Sequence, residues 1–99
     1  MPITTVNGRK FKKILYDAAT RGKLGITVDS DRTIDVHTVP VDELDKWLDG
    51  KRFHGSSFLR TKRLNIEFNH GPEFENDWYL LFDNTSDYPA EIEYDVYER

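Results

Sequence analysis

The chain has 99 residues, 37% of them hydrophobic and 13% aromatic, with no cysteine and a net charge of −4. That suffices for one domain with a core of about twenty buried side chains, too few for two cores. Lack of cysteine excludes a disulfide framework, a thiolate zinc site and a thiol nucleophile and fits a cytoplasmic protein; no apolar run has signal-peptide or membrane-spanning character, and an acidic balance argues against nucleic acid.

Residues 1–10, interrupted by Pro2 and Asn7-Gly8, read as a flexible or loosely paired lead-in to a single domain spanning 1–99. Phe11 to Ala18 is the first strand, with Ile14 and Tyr16 favoured as core. A helical spacing of Phe11, Ile14, Leu15 and Ala18 competes, and the strand is preferred. After a turn at Thr20-Arg21-Gly22, Leu24, Ile26 and Val28 alternate with small or polar residues in a second strand ending at Asp29-Ser30-Asp31. A third, short strand runs from Thr33 to Val39, with Ile34 and Val36 inward and Asp35 and His37 outward.

From Val41 to Gly50 the period changes, and Val41, Leu44, Trp47 and Leu48 share one helical face. Pro40 suits the first turn, Asp42 and Glu43 its positive end, and Gly50 the cap. This helix is expected to plug an open end of the sheet layers with Leu44 and Trp47. Lys51 to Lys62 reads equally as edge strand, bulge or loop. Leu64, Ile66 and Phe68 alternate in a clear strand, ended by Asn69-His70-Gly71-Pro72.

Trp78 to Tyr97 organises the rest. Trp78, Leu80 and Phe82 are strongly apolar against a mixed opposite face, as in a strand covered on both sides. Ile92, Tyr94 and Val96 alternate with Glu91, Glu93 and Asp95, one face buried and one wet. Asn84 to Pro89 is a polar turn, making either a hairpin or a corner between two sheets. Six or more strands with one short helix predict an all-β fold, an antiparallel β-sandwich of jelly-roll-like build with one short inserted helix.

The order of elements resembles a known layout. A Gly-Lys-Leu start leads into LGITVDSDRTIDVHTV, followed by the insert with Trp47 and Gly50, the RLNIEF strand, and WYLLFDN before a last alternating strand. This is similar to the GOLD-type β-sandwich named after lumenal cargo receptors, and to small prokaryotic domains of like build; Ser30-Asp31 and Trp78 to Asn84 carry the match. The resemblance implies a non-enzymatic interaction or sensing module and supplies no catalytic residue. Lacking the cysteines, signal peptide and membrane span of the eukaryotic members, the chain reads as a stand-alone soluble module.

No catalytic constellation stands out. Ser56 and Ser57 lie beside His54 without a nucleophile elbow, and Glu91 and Glu93 share a wet face, so no enzyme is expected. His37, His54 and His70 lack metal-ligand spacing, and no metal or other cofactor is expected. Asp83, Thr85 and Asp87 mimic the start of a calcium loop, but Tyr88 and Tyr94 stand where Gly and Glu belong. Asp29 and Asp31 join Asp83 and Asp87 in an inter-loop site only if both turns share one end; turn formation is the simpler role.

Charge is segregated: residues 1–24 sum to +5, 25–50 to −5, 51–63 to +5 and 64–99 to −9. Such blocks either pair across a sheet or present a surface to a charged partner. The expected function is therefore binding of a protein partner or self-association into a homo-oligomer, with no nucleic acid and no membrane. The expected surface is Trp47, Phe53, His54, Phe58 and Tyr88. The alternative is a small-molecule or carbohydrate sensor using the loop around 47–58.

Overall fold

The computed structural model describes residues 2–18, 23–69 and 74–98. Its strands are β1 (Ile3–Val6), β2 (Phe11–Tyr16), β3 (Lys23–Pro40), β4 (Ser56–Asn69), β5 (Trp78–Asp83) and β6 (Ala90–Glu98). They form one antiparallel sheet in the order β1-β6-β3-β5-β2, with β4 also on β3. Among the described residues the fold is all-β with one short α-helix, as the alternation predicts.

β3 is the spine. The two strands read from Leu24 to Val28 and from Thr33 to Val39 are one 18-residue strand. Its first half pairs with β6 from Leu24 to Ser30, and its second half pairs with β5 from Asp35 to Pro40. β4 runs along the other edge of both halves. The polar run after Val28 does not turn the chain back; it makes an irregularity, with register shifts between Asp29 and Ile34 and between Ile34 and Val36. On β4 the matching irregularity places Arg60 at φ 54°, and its N–H donates to Asp35 Oδ1 at 3.0 Å. Bulges of this kind bend both strands and curl the sheet.

The Asn84–Pro89 segment is a corner, not a hairpin, because β5 and β6 pair with successive halves of β3. Inside the curl lie Leu24, Ile26, Val28, Ile34, Val36, Phe74, Trp78, Leu80, Phe82 and Ile92, all buried. Ile14 and Tyr16 pack against them from β2, as expected. Burying so many large side chains is the main source of stability in a chain of this size.

One reading is corrected at the N-terminus. Residues 3–6, within the stretch that the sequence reads as a flexible or loosely paired lead-in, form a regular strand, β1, on β6, with Thr4 and Val6 buried. Pairing wins because alternate residues of ITTV face the core. The turns expected at 20–22 and 70–72 lie outside the described residues.

The insert starts as a 3-10 turn (Val41–Glu43) and continues as α1 (Leu44–Leu48). Gly50, at φ 71°, ends it. Its N–H donates to Trp47 O at 3.0 Å and that of Lys51 to Lys46 O at 2.8 Å, the paired bonds of a Schellman cap. No helix among the described residues is long and apolar enough to cross a membrane.

Candidate functional site

The outward face of the second half of the sheet carries the residues with chemistry. Strand alternation puts Asp35, His37 and Val39 of β3 on this face. In register beside them are Asp83, Leu81 and Tyr79 of β5, and then Phe11, Lys13 and Leu15 of β2. Val39 and Leu81 are fully buried although they stand outside the main core cluster.

The insert covers this face and does not plug an open end of the layers. Trp47 meets Phe11 edge-on with centroids 5.1 Å apart and lies 5.6 Å from the His37 ring. Phe53 approaches the same imidazole at 6.1 Å. Glu43 fastens the insert: Lys46 Nζ sits 2.7 Å from its Oε2, and the His54 N–H donates to its Oε1 at 3.0 Å. Both bonds hold the carboxyl below its ordinary range.

Trp47 and Phe53 are thus brought together around His37, while His54 stays exposed and reaches the insert through its N–H to Glu43. The other two predicted surface residues are not brought there. Phe58 faces the core side of β4, 6.2 Å from Phe68, as its register against Val36 requires. Tyr88 sits exposed at the corner after β5, with the Arg32 guanidinium 4.8 Å over its ring. The four aspartates considered for calcium also part company. Asp87 pairs with Arg9 at 2.6 Å, Asp29 with Arg63 at 3.7 Å, and Asp31 accepts the Glu91 N–H at 2.9 Å. Of the three histidines, His54 is exposed and His37 buried, while His70 lies outside the described residues.

Asp83 belongs to a different group. Among the described residues, one ligand atom each from Asp35, His37 and Asp83 lies within 4.8 Å of the others. Asp35 and Asp83 are direct cross-strand partners, and His37 is two residues along β3 on the same face. His37 Nδ1 is 2.8 Å from Ser57 Oγ. No family model and no curated protein matches this sequence.

The electrostatics follow from burial and like charge. Burial, and then the neighbouring Asp35 carboxylate, push the Asp83 carboxyl above its ordinary value. Burial pulls His37 down, partly opposed by Asp35, which favours the neutral imidazole. Only the alternation of Asp35 and His37 was visible in the sequence. The register that brings Asp83 opposite Asp35 spans 48 residues of chain and has no local signal.

Proposed function

We propose that this chain is a non-enzymatic interaction module that binds an extended, acidic segment of a protein partner along the open edge of β4. One observation carries the reading. β4 is 14 residues long and pairs with β3 on one edge, with no described strand on the other. Its core-facing Phe58, Leu64, Ile66 and Phe68 are only half-buried. An unpaired edge offers backbone donors and acceptors to an added strand, and half-covered apolar residues gain burial when one arrives.

Charge selects the partner. Arg60, Lys62 and Arg63 are exposed at the middle of this strand. Pairing β4 with its own copy brings basic residues together, which costs energy, whereas an acidic strand is attracted. The GOLD-like layout implies a module of this kind. The sensor alternative is weaker, because Trp47 and Phe53 pack on Phe11 and His37 instead of leaving their rings free.

Two synthetic ten-residue peptides test the proposal, one alternating Val and Glu and one alternating Val and Lys, titrated by fluorescence anisotropy at low and high salt. The acidic peptide should bind at least tenfold more tightly, lose affinity with salt, and lose its advantage in the Lys62→Glu/Arg63→Glu variant. Equal affinities, or no binding of either, would overturn the reading. Light scattering on the free protein should give a monomer; a salt-sensitive dimer would favour a second copy as the occupant.

A further inference from the structure

We propose that Asp35, His37 and Asp83 form a binding site for a divalent first-row transition ion, zinc being the natural probe, on the outward face of the sheet beside the helical insert. All three residues sit on β3 and β5, where ladder pairing fixes their Cα positions, and their ligand atoms already converge within 4.8 Å. A site on paired strands needs little reorganisation to close on an ion.

The arrangement is hard to explain as packing. Two carboxylates directly opposite on neighbouring strands repel. Among the described residues, no lysine or arginine side chain forms an ion pair with either one. On the same face of β2, Lys13 places its ammonium over the Tyr79 ring at 5.1 Å instead. Arg60 offers Asp35 only its backbone N–H. A dication would neutralise both carboxylates at once, a compensation the surrounding side chains do not supply.

The histidine adds an independent reason. His37 is only 6% exposed, with Trp47 and Phe53 against its ring. Its Nδ1 is engaged by Ser57, the kind of outer hydrogen bond that orients a ligating imidazole. In the tautomer that carries its proton on Nδ1, that nitrogen donates to Ser57 Oγ and Nε2 is the one free to coordinate. One imidazole and two carboxylates, without sulfur, suit zinc, manganese, iron or cobalt; the nitrogen ligand disfavours calcium, and the missing thiolate disfavours copper(I). Three protein ligands leave at least one position for water or an anionic group.

The test uses the full chain stripped with a chelator, titrated with zinc chloride by calorimetry and followed by thermal unfolding. One equivalent should bind, and the melting temperature should rise by several degrees and fall back on adding EDTA. Asp83→Asn keeps the side-chain shape and removes the repulsion; it should fold at least as well as the parent while weakening zinc tenfold or more. His37→Asn should do the same, and if it fails to fold, Asp83→Asn decides alone. A His54→Ala/His70→Ala variant should bind as the parent does. No saturable binding, unchanged affinity in Asp83→Asn, or loss of binding in the His54/His70 variant would each overturn the site.

Discussion

The side-chain amide of Asn84 donates to the carbonyl oxygen of Val6 at 2.9 Å, tying the corner after β5 to the end of β1. The same nitrogen donates to Tyr88 O at 2.7 Å, and Oδ1 accepts from Ser86 N–H at 3.1 Å and Ser86 Oγ at 2.7 Å. Asn84 is fully buried. Asn84→Ala should cost about 3 kcal/mol, because it removes both bonds that the buried amide donates and the acceptor that shapes the turn. Asn84→Asp should cost more, since it sets a charge against carbonyl oxygens. Urea unfolding of both variants measures the difference.

Two glycines at the ends of one loop should respond differently to alanine. At Gly55 an added Cβ would meet the Thr38 carbonyl oxygen and the Phe53 ring, and the carbonyl belongs to a paired strand that cannot retreat. Gly55→Ala should therefore destabilise by about 2 kcal/mol and shift Trp47 fluorescence, through Phe53 and His37. At Gly50 nothing lies within 4 Å, and the penalty comes from φ alone. Gly50→Ala should cost about 1 kcal/mol, and Gly50→Asn less. Equal effects at the two positions would mean that close approach at Gly55 is not the cause.

Glu43 makes the insert sensitive to acid. Its carboxyl is held below the ordinary 4.5, first by the Lys46 side chain and then by the His54 N–H. A depressed pKa in the folded state gives stability that is complete above the unfolded pKa and is lost as pH falls through the folded one. The loss should appear as pH falls below the ordinary 4.5. Glu43→Gln should be less stable than the parent at pH 7 and should flatten this limb of the stability profile. Circular dichroism melts from pH 2 to 7 provide the comparison.

How much of this was legible depended on whether a local pattern or a distant pairing decided it. The alternation in Trp78 to Phe82 and Ile92 to Val96 placed those residues correctly, because burial follows period 2 wherever one face is covered. Gly50 as a cap was legible from position alone. The kink after Val28 was misread as a strand end, since a polar run signals a bulge and a turn in the same residues. Phe58 looked like a surface anchor because its loop neighbours are small and polar, yet its pairing with Val36 turns it to the core. Asp35 with Asp83, and His37 under Trp47, arise from register and from where the insert lands, which no short window contains.

Tyr16 links the core to alkaline pH. Its ring stacks on Trp78 with centroids 5.0 Å apart and planes at 19°. Burial, followed by Tyr94 and Asp95, pushes the phenol up to about 12 from 10.0. A raised pKa in the folded state gives stability that is complete below the unfolded pKa and lost as pH rises through the folded one. Between pH 10 and 12 the parent should therefore lose about 1 kcal/mol more than Tyr16→Phe, a figure discounted for the solvent screening of a partly exposed phenol. The variant keeps the stack on Trp78, so the two proteins should differ little at pH 7. Parallel denaturant series with a spectrophotometric tyrosine titration separate the effects. If the alkaline loss persists unchanged in Tyr16→Phe, it arises from the other tyrosines and from lysine deprotonation, and Tyr16 does not sense pH.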